Sequence, residues 1–375
     1  MTAPVRVGLL GCGRIARLAH LGALSRLRDV NLVALAEADP RRRAEASRRA
    51  PAATTLADYR ELLDMPDVEA VIVALPPSLH ADAAITALER GKHVYLEKPM
   101  ALNLAEGARV LAAWRRSGLV GMIGFNYRFN HLYEAARERI CAGRLGELVI
   151  ARSVFSTSIR PMPDWEQTRA RGGGALLSLG SHHIDLVRFL LSREIRDVSA
   201  SWRTQRTEHD TAVLQLRLDD GVLVQSFFSL SGVEEDRVEI YGQAGKLTVD
   251  RSLSLAVEIS PTTQRYARAR QLARTLRAAR GIPHAIDKIM SPGREPSYRA
   301  ALAHFAAAVR FGRRATPDFC DGYLSLAVVD AAEQCATTGS WVSLADPLDA
   351  GLEMVAASSA AGQGASRRPC GVADA

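Results

Sequence analysis

Two short stretches carry side chains whose types and spacing suit the handling of protons and charge. The first is Glu97-Lys98-Pro99, directly after the run His93 to Leu96. A lysine ammonium at a strand end can hold a hydroxyl and stabilise developing alkoxide charge. The second is Gly172 to Leu191, GGGALLSLGSHHIDLVRFLL. His182 and Asp185 are three positions apart, so a helix puts them on one face. A histidine titrating near neutrality is the natural base for taking a proton from a hydroxyl. His183 points about 100° away, so one of the pair should face a site and the other should not. Each residue also has a bland alternative, a surface lysine at a strand end or a satisfied core histidine. The elements that position them must decide.

Those elements start with VRVGLLGCGRIA, Val5 to Ala16. It reads as a buried strand, Val5 to Leu10, a glycine loop and a helix. Gly11, Gly13 and Ala16 match the dinucleotide fingerprint G-x-G-x-x-G/A: a tight turn, a close approach of backbone to a pyrophosphate, and a close helix–strand contact. Arg14 and Ile15 lie between them, at the helix N-terminus that would face the phosphates. A second strand, Val30 to Ala36, ends at Glu37, 24 residues beyond Gly13. That is near the spacing of a carboxylate that binds the adenosine ribose and repels a 2′-phosphate. The expectation is therefore NAD rather than NADP. Arg41, Arg42 and Arg43 follow; they are a solvated face, or else the partners of a 2′-phosphate.

Val68 to Leu75 is a continuous apolar run, as in a central parallel strand buried on both faces. Pro76-Pro77-Ser78 breaks it, and a helix reaching Arg90 follows. After His93 to Leu96 come a helix from Asn103 to Ser117 and a strand from Val120 to Phe125. Strand–helix repetition with short loops predicts a doubly wound parallel sheet. In such sheets ligands bind at the carboxyl ends of the strands, where Glu97 and Lys98 fall. From Gly146 the texture changes to alternating runs: Glu147 to Ser156, Val198 to Thr207, Thr211 to Leu218, Val222 to Leu230, Val238 to Tyr241 and Lys246 to Val249. Asp220-Gly221 is a hairpin signal.

The fold class expected is thus α/β: an N-terminal Rossmann domain, then an α+β domain with a large, mostly antiparallel, open-faced sheet. The boundaries expected are 1–127 for nucleotide binding, 128–347 for substrate and oligomerisation, and 348–375 for a disordered tail. Within the second, 261–299 is a basic excursion with nine Lys or Arg against Asp287 and Glu295; Tyr266 to Arg280 reads as a helix in it. Tyr298 to Phe311 and Gly322 to Thr337 read as amphipathic helices. A sheet with one face free of helices needs cover, so a homo-oligomer is expected, a dimer or tetramer.

Composition closes off other classes. With 48 Lys plus Arg against 41 Asp plus Glu, the net charge of +7 favours anionic ligands or solubility. No basic stripe interleaved with aromatics is present, so nucleic acid is not an expected partner. Five scattered cysteines form neither a metal-ligand spacing nor a disulfide framework, and no metal is expected. No run of about 18 apolar residues suggests a membrane span, and no secretory leader is legible, so the cytoplasm is the expected compartment.

The fingerprint VGLLGCGRIA, the stretch VIVALPPSLHADAAITALERGKHVYLEKP, the segment GFNYRF and the segment GGGALLSLGSHHID together resemble one family over roughly residues 4 to 345. It is the glucose–fructose oxidoreductase / inositol dehydrogenase / rhizopine-catabolism family (Gfo/Idh/MocA) of NAD(P)-dependent oxidoreductases. The resemblance implies that Lys98 is the catalytic lysine, that Glu97 touches the nicotinamide ribose and that His182 shuttles the substrate proton. The implied reaction is hydride transfer between nicotinamide and a secondary alcohol or ketone of a sugar, cyclitol or derivative. The substrate would lie near Lys98, Asn126, Arg128 and His182, with Asp185 at hand to act on the imidazole. Two positions depart from the family pattern. Ser178 stands where many members carry Asp four residues before the histidine, and Pro77 stands where Asn is common. The rival functions are an NAD-dependent glycosidase that oxidises its sugar transiently and a non-catalytic nucleotide-sensing regulator on the same fold.

Overall fold

A computed structural model describes residues 3–262, 282–291 and 295–344. The helix expected over Tyr266 to Arg280 and the tail from residue 348 lie outside these.

The first sheet holds six strands: β1 (Val5–Leu10), β2 (Val30–Ala36), β3 (Thr54–Leu56), β4 (Ala70–Val73), β5 (His93–Leu96) and β6 (Gly121–Ile123). All pair in parallel, in the order β3-β2-β1-β4-β5-β6. This is the Rossmann order, and its direction reverses between β1 and β4. Every residue of β4 is buried, as its unbroken apolar run demands. The helices between strands are α1 (Leu21–Leu24), α2 (Pro40–Arg49), α3 (Tyr59–Leu63), α4 (His80–Glu89) and α5 (Leu104–Ser117). Local chemistry sets their ends. The Asp39 side chain accepts from the Arg42 N–H before Pro40 starts α2, and Asn103 accepts from the Glu106 N–H at the start of α5. Gly118, at φ 66°, ends α5.

After α6 (His131–Cys141) and β7 (Leu148–Ser156), the chain passes through a loop to α7 (Ser181–Leu191). Then come β8 (Ile195–Arg203), β9 (Thr211–Leu218), β10 (Leu223–Ser229), β11 (Glu235–Gly242), β12 (Gly245–Asp250) and β13 (Glu258–Pro261). With β14 (Val342–Ser343) they form an eight-stranded sheet, β13-β12-β11-β7-β10-β9-β8-β14. Only β7 and β10 pair in parallel within it. The run expected to extend to Thr207 leaves the sheet at Arg203, because Asp210 gathers the Arg206 and Thr207 N–H groups into a turn.

Three helices complete the described chain: α8 (Ile282–Met290), α9 (Ser297–Phe311) and α10 (Phe319–Thr338). The last opens on a capping box between Asp318 and Asp321. α9 returns to the first sheet, where Ala301, Leu302 and Phe305 share a core with Val5, Val7, Ile72 and Tyr95. A larger core runs through both sheets, from Leu10 and Val73 to Leu214, Phe228 and Val238. Among the described residues, one face of the second sheet exposes large apolar side chains. Ile150, Val213, Leu223 and Phe227 occupy matching registers there and are 36 to 44 % exposed.

Candidate functional site

The glycine loop sits at the switch point between β1 and β4. Gly11 has φ +88°, and a Cβ there would lie 2.6 Å from the Ala74 carbonyl oxygen, so only glycine passes. A Cβ at Gly13 would meet nothing within 4 Å; open space lies over that backbone. Arg14 is exposed and Ile15 half-buried, and the helix they begin contains a wide π-type turn at Ala16–His20. Ala16 is fully buried beneath it. Glu37 reaches back to the loop. Its Oε2 accepts from the Cys12 N–H (2.8 Å), and its Oε1 accepts from the Asp39 N–H (3.0 Å) and from Arg42 (2.9 Å). Two carboxylate oxygens have capacity for one more donor. The Cys12 thiol beneath is pushed up to about 12, first by burial and then by Glu37, so it is inert at neutral pH. An open glycine cradle with a buried carboxylate beside it fits a dinucleotide.

Glu97 and Lys98 emerge from β5 on the same edge. Glu97 is buried, and the Nε2 of His20, from the nucleotide-side helix, lies 2.8 Å from its Oε1. The place of Gly124 is fixed by this carboxylate: a Cβ there would come within 2.9 Å of it. Lys98 is half-buried, and its Nζ donates to the backbone carbonyl of Ser178. Burial pulls its ammonium down from 10.5 to about 8, against the opposing pull of Glu97 and Glu166.

Ser178 lies in a second π-type turn, Leu176–Gly180, which leads straight into α7. Such turns concentrate at functional positions. His182 follows one turn later. Its ring stacks on Tyr127, with centroids 4.5 Å apart and planes 12° from parallel. It retains 7 % exposure, and among the described residues its Nδ1 has no hydrogen-bond partner. Burial, and then the nearby Lys98 charge, hold it well below the usual histidine range, so it is neutral at pH 7. His183, next to it, is buried and packs on Tyr127 and Phe155, with Nε2 3.1 Å from Asp236 Oδ1.

The other residues expected near the substrate fall differently. Asn126 is buried, with its amide donating to Ser297 Oγ (2.8 Å). Arg128 and Asp185 find each other: Arg128 Nε donates to Asp185 Oδ2 at 2.9 Å, and a second nitrogen bridges to Asp321 at 2.9 Å. Asp185 is thus committed to Arg128. The carboxylate whose charge acts on His182 is instead Asp236, more than fifty residues downstream on β11. Sequence reasoning missed Asp236, Tyr127, Arg251 and His20. One signal was present: Asp236 stands in phase with Val238 and Ile240, so an acid occupies an inward position of an alternating strand.

The fold and site together define a two-sheet dehydrogenase-type protein: a glycine cradle for a dinucleotide, with a lysine and a neutral histidine beyond it. Family comparison gives the assignment. Residues 5–125 match the model of the oxidoreductase family with an NAD-binding Rossmann fold, and residues 133–248 match the GFO/IDH/MocA C-terminal domain. The chain belongs to the Gfo/Idh/MocA family and is an NAD-binding oxidoreductase. It is 26 % identical to the scyllo-inositol 2-dehydrogenase (NAD(+)) of Bacillus subtilis strain 168, over 91 % of this chain and 96 % of that one. It is 30 % identical to the dTDP-3,4-didehydro-2,6-dideoxy-alpha-D-glucose 3-reductase of Streptomyces violaceoruber, over 82 % and 85 %. Among solved structures, levoglucosan dehydrogenase in complex with NADH and levoglucosan superposes with a TM-score of 0.78 at 23 % identity, covering 91 % of this chain and 99 % of that one. That likeness establishes the shared fold. No helix of the described residues is long and apolar enough to cross a membrane.

Proposed function

We propose that this protein is a cytoplasmic NAD-dependent dehydrogenase or reductase acting on a secondary alcohol or ketone of a sugar, cyclitol or derivative. The observation that carries the proposal is the meeting of two separated segments: Lys98 bonds to the Ser178 carbonyl one turn before His182, at the carboxyl edge that also bears the glycine cradle. Gly11, Gly13, Arg14 and Ile15 would hold the pyrophosphate, Glu37 the adenosine ribose and Glu97 the nicotinamide ribose. The cofactor, when bound, supplies the hydride acceptor or donor. Lys98 donates a hydrogen bond to the reacting oxygen and stabilises its negative charge as it grows. Neutral His182 takes the hydroxyl proton in oxidation and returns it in reduction. Arg128 is tied to Asp185 and Asp321, and Asn126 is held through Ser297.

The relatives named as inositol dehydrogenases and sugar reductases support this substrate class. They do not favour the transient-oxidation glycosidase or the non-catalytic sensor. The exposed apolar sheet face around Ile150, Leu223 and Phe227 supports a homo-oligomer that buries it. A panel of inositols, free sugars and their keto forms, followed by absorbance of the reduced cofactor, tests the assignment. Turnover of a polyol with net NADH formation supports it; NADH binding with no turnover across the panel overturns it in favour of the sensor.

A further inference from the structure

Asp236 is a buried carboxylate with four side-chain hydrogen-bond contacts. Its Oδ2 accepts from Tyr127 (2.7 Å) and Arg251 Nε (2.6 Å), and its Oδ1 accepts from Tyr133 (3.1 Å) and meets His183 Nε2 (3.1 Å). It is 2 % exposed. Arg251 is itself pinned: it reaches Glu295 (2.8 Å), its own backbone N–H donates to the Asp236 carbonyl (2.8 Å), and Lys288 caps its carbonyl (2.7 Å). Glu295 also accepts from Asn130 (3.2 Å) and the Ser297 N–H (3.2 Å). A charge removed this far from water persists only when its partners are fixed, and it fixes them in return.

What it fixes lies against the candidate proton carrier. The Tyr127 ring, tethered by its hydroxyl to Asp236, has His182 stacked on it at 4.5 Å and the Arg251 guanidinium over it at 4.8 Å. His182 has no hydrogen bond of its own at Nδ1 among the described residues. Its orientation therefore rests on packing against Tyr127, Phe125 and Phe155. Ser178 offers its backbone carbonyl to Lys98.

We infer that Asp236 is the positioning residue for His182: by anchoring the Tyr127 hydroxyl and the adjacent His183, it holds the imidazole in the plane from which it exchanges the substrate proton. The inference rests on the proposed role of His182. A group held within about 1 Å of its productive place can lose about a hundredfold in rate when released. Tyr127→Phe keeps the stacking ring and removes only its tether. It should lower kcat about tenfold, leave KM and the NADH dissociation constant unchanged, and raise the solvent deuterium isotope effect on kcat as proton transfer becomes limiting. Asp236→Asn should lower kcat by about ten- to a hundredfold with the same signature, the scale of a lost charge-assisted hydrogen bond. If Asp236→Asn fails to fold, Tyr127→Phe alone decides. Wild-type kcat and isotope effect in Tyr127→Phe would overturn the inference. So would a fall in kcat accompanied by equal losses in KM, NADH affinity and melting temperature, which marks general loosening. His182→Ala separates the two levels: if it retains full rate, the proposed role of His182 fails whatever Asp236 does.

Discussion

The pH dependence of oxidation follows from where Lys98 and His182 are buried. The form competent to oxidise an alcohol has Lys98 charged, to hold the oxygen, and His182 neutral, to take the proton. His182 is neutral because burial holds it well below its ordinary 6.5. Lys98 stays charged up to about 8, a lowering from 10.5 that corresponds to about 3 kcal/mol against the ammonium. The profile of kcat/KM should therefore be level through neutrality and fall about tenfold per pH unit above 8. The same burial makes Lys98 costly to the fold. Below pH 8 both folded and unfolded chains carry the charge and the folded chain bears the full penalty; it is relieved as the pH rises from about 8 towards 10.5. Lys98→Met removes that penalty but leaves the Ser178 carbonyl without its donor, a loss of about 1–3 kcal/mol. The variant should hence melt at or above the wild-type temperature at pH 7. It should nonetheless lose about 10²–10³-fold in kcat, the scale of one oxyanion donor, with NADH binding intact. Lys98→Arg should move the alkaline fall beyond pH 10, since a guanidinium keeps its proton. Stopped-flow rates, an NADH titration and thermal melts on the three proteins suffice. A Lys98→Met enzyme that keeps most of its rate, or an alkaline limb that stays near pH 8 in Lys98→Arg, refutes the assignment.

Cofactor choice should follow Glu37: NAD binds more tightly than NADP, and Glu37→Ser reverses the preference by freeing Arg42 for a 2′-phosphate, as fluorescence titrations of both reduced cofactors would register. Tighter NADP binding by the wild type contradicts this. Ser178→Asp introduces a carboxylate on the turn that Lys98 touches. It should raise the alkaline limb above pH 8, and an unchanged limb means the new side chain does not reach Lys98. Light scattering at micromolar concentration should give a multiple of 40.6 kDa, and Phe227→Glu with Leu223→Glu should reduce it to one copy; a wild-type monomer defeats the oligomer proposal.

What the sequence determined on its own was local. The Gly11-x-Gly13 turn, the apolar β4 and the alternation of β9 depend on neighbours within a few residues, so spacing and residue type suffice to read them. The matches to Val5–Leu10, Val30–Ala36, His93–Leu96 and Thr211–Leu218 follow from that. Lys98 and His182 could be singled out because one ends a strand and the other opens a helix after a glycine run. The tertiary structure alone decided their company. Asp185 shares a helix face with His182 by spacing, yet Arg128, which also binds Asp321, claims it. The acid that serves the histidine comes from β11, because β11 pairs with β7 and brings Asp236 beneath Tyr127. No pattern along the chain encodes that meeting, since a buried charge is tolerated only where partners from separate elements converge on it.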